Sequence, residues 1–218
     1  MSEAAKTTHR YIAVEGPIGA GKTTVAKLLA KEIGALAVLE PAHKNPFLAD
    51  FYRDRRVYAF KTELFFLLER YKQQLGLKQF DFEHGKVVCD YIFAKDFIFA
   101  GINLDEEERR LYNSVYELLD KDLPMPDIVV YLEADPEVLI QRIRKRNFPN
   151  EKGLDISYLE RLVDAYNNFF FNYSETPLLI VNSNDMDIVE NPADWEDLKN
   201  AILRHKCGTE HHHYVGKK

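Results

Sequence analysis

The sequence predicts an α/β fold, a single parallel sheet flanked by helices, and three observations carry that expectation. Five short runs, "YIAVE", "ALAVLE", "KVVCDY", "DIVVYLEA" and "PLLIVN", are almost continuously apolar instead of alternating. That is the pattern of strands buried on both faces. Between the runs lie longer stretches whose apolar residues recur at helical spacing, so strands and helices alternate as in parallel crossovers. A glycine-rich loop separates the first run from the first helical stretch.

Taken in order, "YIAVE" leads into "GPIGAGKTT", which fits G-x-x-x-x-G-K-[ST] with Gly16 and Gly21 bracketing the loop. The helix after it places Val25, Leu28, Leu29 and Ile33 on one face, and Gly34 ends it. The second run ends at Glu40-Pro41. In "VYAFKTELFFLLERYKQQLG", Val57, Phe60, Leu64, Leu67, Leu68, Tyr71 and Leu75 form one broad stripe, expected to be core or to reach a second subunit. The third run ends at Asp90-Tyr91, and "DEEERRLYNSVYELLDKD" follows as a helix. Asp135-Pro136 marks a helix start, and Asp155 is the expected N-cap of "ISYLERL". No Pro/Gly/Ser-rich linker divides the chain. One domain over 1–218 is therefore expected, with an ordered core of about 9–205 and a C-terminal tail of about 206–218. The "EHHHY" stretch is read as part of that tail rather than as a metal site.

Composition narrows the function classes. A chain of 218 residues is long enough to bury a full core. Its net charge of −6 argues against a general nucleic-acid-binding surface. Cys89 and Cys207 are the only cysteines, too few for a disulfide framework and lacking a C-x-x-C pair. No apolar run approaches the length of a membrane span. A reducing, cytoplasmic setting is the expectation.

The loop carries the chemistry. Without Cβ atoms, glycines let successive backbone N–H groups turn towards a phosphate, and the following helix adds its positive end. Gly16, Gly19, Ala20, Gly21, Lys22, Thr23 and Thr24 are expected to hold a nucleoside triphosphate. Lys22 would reach the β/γ-phosphates and the Thr23 hydroxyl would take one position on Mg²⁺. Glu15-Gly16, Glu40-Pro41 and Asp90-Tyr91 all stand at the carboxyl ends of strands, the rim where open α/β sheets bind ligands.

The ordered set "GPIGAGKTT", "LEPAHKNPFLADFY", "YAFKTELFFLLERYKQ", "CDYIFAKD", "PDIVVYLEADPEVLIQRIRKR" and "NEKGLDISYLERL" resembles the bacterial deoxynucleoside kinases, the deoxyadenosine, deoxyguanosine and deoxycytidine kinase family. The likeness runs from about Tyr11 to Val189. It implies a P-loop kinase fold with a five-stranded parallel sheet, a lid at about 142–154 and a homodimer. The implied activity is transfer of the γ-phosphoryl of ATP, with Mg²⁺, to the 5′-hydroxyl of a purine deoxynucleoside or deoxycytidine in nucleotide salvage. By the same resemblance Glu40 is the general base, and Tyr52 and Glu151 bind the 3′-hydroxyl. Asp90 contacts the base, and Arg142 and Arg146 close over the transferring group.

The sequence also departs from the family pattern. A base-clamp "FQT" is "FKT" here, placing Lys61 among the substrate residues. A Glu-Arg-Ser stretch falls on His84, Gly85 and Lys86, which leaves a second metal-side carboxylate unassigned. Phe148 replaces a lid arginine, and Phe97, in "AKDFIFA", stands where the bacterial enzymes typically carry Arg. A nucleotide-binding pseudokinase with a regulatory role, or another small-molecule P-loop kinase, is the alternative. Adenine, guanine and cytosine stay unranked.

Overall fold

The structure, a computed structural model, describes residues 7–148, 151 and 153–213. Strand β1 (Tyr11–Glu15) is buried along its whole length, as its unbroken apolar run requires. It pairs in parallel with β3 (Val87–Cys89) on one side and β4 (Ile128–Glu133) on the other. The register sets Ile12 opposite both Val88 and Ile128. Beyond β3 lies β2 (Leu36–Val38), a short, partly exposed edge strand. Beyond β4 lies β5 (Leu178–Asn182). These are the five expected strands, in the order β2-β3-β1-β4-β5.

A sixth strand corrects the expected count. β6 (Thr209–His213) adds in parallel to β5, pairing Leu178 with Thr209 through Asn182 with His213. It comes from the segment expected to be a tail. The exposed edge of β5 is a row of backbone donors and acceptors, and a polar strand satisfies them as well as an apolar one. Side chains hold it: His212 Nε2 lies within hydrogen-bond distance of Asp197 Oδ2, at 2.6 Å, and Arg204 pairs with Glu210 at 2.9 Å. Successive side chains of a strand point to opposite faces, so the three histidines do not converge. Among the described residues no cluster of His, Cys, Asp and Glu suits a metal ion.

The helices are α1 (Lys22–Ile33), α2 (Leu48–Arg53), α3 (Arg55–Lys78), α4 (Lys95–Asn103), α5 (Glu106–Leu119), α6 (Pro136–Arg146), α7 (Ile156–Phe171) and α8 (Pro192–Arg204). Their ends follow local chemistry. Asp155 caps α7 by accepting from the Tyr158 amide at 2.8 Å, and Pro136 occupies the first turn of α6. None of the described helices is long and apolar enough to cross a membrane.

Helix α3 departs from the reading of its apolar stripe. Its buried face is largely polar: Thr62, Glu63, Phe66, Arg70 and Gln74 point inward with Ala59 and Leu67. Val57, Leu68 and Leu75 of the stripe are exposed. At 3.6 residues per turn, Leu64, Leu68 and Leu75 lie roughly 120° round the helix from the Glu63–Arg70 line. The helix therefore turns a charged face to the interior, and the interior there is a cavity.

Candidate active site

The phosphate loop connects β1 to α1, and its glycines are needed where it bends. Gly16 (φ 153°) has the Leu132 carbonyl 2.6 Å from where a Cβ would sit, and Gly19 (φ 91°) packs against α6. Such close approach and positive φ suit residues without a side chain. Lys22 Nζ lies across the loop mouth, donating to the carbonyls of Gly16 (2.7 Å) and Pro17 (3.0 Å). Burial, with the neighbouring charge of Lys95, lowers its pKa to about 8.

Below the loop, Glu15 fixes the strand ends. Its carboxylate accepts from the amides of Gly16 (2.9 Å) and Ile92 (3.0 Å) and from the Tyr166 hydroxyl (3.0 Å). Asp90, ending β3, accepts from the Thr23 hydroxyl at 2.5 Å and from the Glu40 amide at 2.7 Å. Both its oxygens are committed at the loop, so Asp90 is not at the base end of the site as expected. It stands beside Thr23 at the loop, where the sequence left a second carboxylate unassigned. Burial raises its pKa against these hydrogen bonds.

Glu40 follows β2 and is gripped by cations. Arg70 Nε donates to its Oε1 at 2.6 Å, and Lys95 Nζ stands 3.5 Å from Oε2. Burial alone would raise the carboxyl, but the charges of Arg70, Lys95 and Lys22 outweigh it and hold the pKa at about 2. Arg70 also donates to Asp96 at 2.5 Å, which accepts from Tyr112 at 2.6 Å. Arg70, Lys95 and Asp96 were not singled out from the sequence, although the seven-residue spacing of Glu63 and Arg70 places both on one helix face.

Glu40, Lys22 and Thr23 line a cavity of about 160 Å³ with Tyr52, Glu63 and Glu151. Tyr52 is buried on α2, and its backbone lies so close to Gly153 that a Cβ there would stand 2.5 Å from the Tyr52 carbonyl. Glu151 pairs with Arg146 at 2.5 Å, and the Arg146 guanidinium lies over the Phe148 ring. Residues 149, 150 and 152 of the expected lid fall outside the described residues. Lys61 is absent from the cavity wall. It is exposed, with Nζ over the Tyr58 ring at 5.1 Å. Two residues along a helix is about 200° of rotation, so a helix presenting Glu63 inward must present Lys61 outward. Phe97 is likewise outside the cavity, packed on Tyr116.

A second cleft, about 380 Å³, opens on the other side of the loop against Gly21, Thr24, Arg142, Arg146 and the 186–190 segment. Arg142 is committed there: it donates to the carbonyls of Ser183 (2.5 Å) and Met186 (3.1 Å). It braces that loop and does not reach the first cavity, contrary to its expected place at the transferring group. Arg146 borders both spaces. Two spaces thus meet at one phosphate loop. A triphosphate entering from one side would point its terminal phosphate at a carboxylate-bearing pocket on the other.

Comparison with known proteins gives the family. A family model described as deoxynucleoside kinase matches residues 12–207. The chain is 37% identical to the deoxyguanosine kinase of Bacillus subtilis over 87% of its own length and 94% of the relative's. It is 31% identical to the deoxyadenosine/deoxycytidine kinase of the same organism, over 88% and 90%. A solved structure of deoxyadenosine kinase from M. mycoides, with products dCMP and dCDP bound, superposes with a TM-score of 0.77 at 27% identity, covering 88% of this chain and 98% of that one. With its phosphate loop, its buried carboxylate pocket and this match along nearly its whole length, the chain belongs to the deoxynucleoside kinase family and is a phosphotransferase.

Proposed function

We propose that the enzyme transfers the γ-phosphoryl of ATP to the 5′-hydroxyl of a purine deoxynucleoside or deoxycytidine, with Glu40 as the proton acceptor. The observation that carries this reading is the placement of Glu40. Ionised and fixed by Arg70 and Lys95, it faces the same cavity as Lys22 and the phosphate loop. Phosphoryl transfer is loose, so the protein contributes mainly positioning and charge stabilisation. A carboxylate with pKa about 2 stays ionised at neutral pH, orients the hydroxyl from the start, and takes its proton late in the reaction. Lys22 and Arg146 supply positive charge where the transferring oxygens gain negative charge. Tyr52 and Glu151, which line the same cavity, bind the 3′-hydroxyl.

The hydroxyl of Thr23 and the carboxylate of Asp90 are hard oxygen donors side by side at the loop, a set that suits Mg²⁺. When bound, Mg²⁺ would neutralise charge on the β- and γ-phosphates. Exposed leucines on α3 and α5, among them Leu68, Leu75, Leu111 and Leu118, support a homodimer. The free thiols of Cys89 and Cys207 support a reducing, cytoplasmic setting. The test is a phosphorylation assay with ATP and Mg²⁺ against the four common deoxynucleosides. It should yield 5′-monophosphates of at least one amine-bearing nucleoside. Product formation from thymidine alone would contradict the reading.

A further inference from the structure

Glu63 is a buried carboxylate to which the mechanism assigns no part. It is 2% exposed, lines the Glu40 cavity, and stands on the same face of α3 as Arg70. Seven residues separate the two, about 10 Å along the helix axis. That is comparable to the span from a nucleoside's 5′-hydroxyl to the far edge of its base. Phe66 and Phe99 line the space between and offer flat apolar walls. With Glu40 at the 5′-hydroxyl, Glu63 is at the base.

One of its oxygens is held and the other is free. Oε1 accepts from Asn103 Nδ2 at 2.7 Å, and that amide also reaches the Tyr158 hydroxyl at 3.2 Å. Oε2 is buried without a partner, as is the neighbouring Thr62 Oγ1. An acceptor buried without a donor is destabilising, and a ligand that brings N–H groups to it removes the deficit. Asn103 fixes the carboxylate, and the residue that carries the unpartnered oxygen lines the cavity.

We infer that Glu63 reads the base of the acceptor nucleoside and selects guanine. This rests on the reading of the cavity as the deoxynucleoside site. An ionised carboxylate only accepts hydrogen bonds, and each oxygen accepts more than one. Guanine presents two adjacent donors on its Watson–Crick edge, N1–H and the N2 amine, which a carboxylate meets with both oxygens. Adenine and cytosine set an amine beside a bare ring nitrogen, whose lone pair faces the second carboxylate oxygen. Thymine sets one N–H between two carbonyls. Of the four, only guanine matches Glu63 in its charged state.

Protonation modulates the choice. Burial pushes the Glu63 carboxyl up to about 7, against the charge of Arg70 and the Asn103 hydrogen bond, with Asp96 and Glu40 adding to the rise. The groups facing it are Arg70 from its own helix, Asp96 and Asn103 from α4, Glu40 after β2, Tyr52 from α2 and Tyr158 from α7. A protonated Glu63 can donate to the ring nitrogen of adenine. Preference for guanine over adenine should therefore widen as pH rises from about 6 to 8.

The experiment measures kcat/KM for deoxyguanosine, deoxyinosine, deoxyadenosine and deoxycytidine at about pH 8, with the wild type and Glu63→Gln. Deoxyinosine keeps N1–H and lacks the N2 amine. The wild type should favour deoxyguanosine and use deoxyinosine roughly tenfold less well. Glutamine pairs one acceptor with one donor, so Glu63→Gln should lower deoxyguanosine and raise deoxyadenosine, moving their ratio by about a hundredfold. The inference is overturned if the wild type prefers deoxyadenosine or deoxycytidine, if deoxyinosine equals deoxyguanosine, or if the variant scales all four substrates alike. Should the variant not fold, the wild-type deoxyinosine comparison decides alone. A wild type that phosphorylates none of the four overturns the deoxynucleoside site itself, and with it the inference.

Discussion

Replacing Arg70 by methionine removes the cation on which two buried carboxylates depend. The Arg70 side chain is 2% exposed and lies 2.5 Å from both Glu40 and Asp96, whose side chain is fully buried. Methionine fills much of the same length, so the loss is electrostatic more than steric. Removing one member of a buried ion pair costs about 3–5 kcal/mol, because the charge left behind is uncompensated. For a chain of 218 residues, that is a fall in Tm of roughly 6–20 °C. The pH dependence gives the cause. In the wild type Glu40 is held at about 2, below its unfolded value. Its stabilising contribution is present above the ordinary carboxylate range and is lost only as pH falls towards 2. In the variant burial dominates and both carboxyls titrate higher than when unfolded, so stability falls as pH rises. The deficit should widen from pH 5 to pH 8. The single tryptophan, Trp195, is buried and reports urea unfolding of both proteins directly. A deficit below about 1 kcal/mol at pH 7, or one that does not change with pH, would refute the reasoning.

Two further outcomes follow from the same charges. Lys22 must be protonated to meet a triphosphate, and its pKa is lowered to about 8. The kcat/KM for ATP should fall about tenfold per pH unit above that point; a flat profile to pH 10 would remove Lys22 from donor binding. Lys61 is exposed and off the cavity wall, so Lys61→Gln should change kcat/KM by less than about twofold on every deoxynucleoside, within the range of ordinary surface changes. A tenfold change on any one of them would place it back in the pocket.

The parts of the fold legible in the sequence are those with local causes. The phosphate loop is readable because backbone geometry, charge and helix polarity are encoded in consecutive residues from Gly16 to Thr24. Four strands are readable because burial on both faces leaves little room for polar positions, and the partly exposed edge strand β2 is readable from its apolar run alone. β6 is not, since "TEHHH" is polar and becomes a strand only through the free edge of β5. The site divides in the same way. Glu40 and Asp90 stand at strand ends, where topology alone points them at the rim. Which end of the pocket Asp90 serves depends on Thr23 and the Glu40 amide, neither adjacent in sequence. On α3 apolar periodicity picks out a stripe that is partly exposed, whereas the polar residues Glu63 and Arg70 mark the cavity face. Lys61 was placed by a motif match, which fixes position along a helix but not the side it faces. Arg142 falls on the correct helix, yet its partners are carbonyls about forty residues away.

The claim on which the account turns is that Glu40 takes the proton of the acceptor hydroxyl. Single-turnover phosphorylation of a deoxynucleoside, comparing the wild type with Glu40→Gln at saturating ATP and Mg²⁺, tests it most directly. Glutamine keeps the shape and can still orient a hydroxyl but cannot serve as a base at neutral pH. The chemical step should slow by about 10² or more, with ATP binding within about twofold of the wild type and no rescue on raising the pH. A variant that transfers phosphate at the wild-type rate would contradict the claim and leave the cavity's carboxylate without a catalytic part.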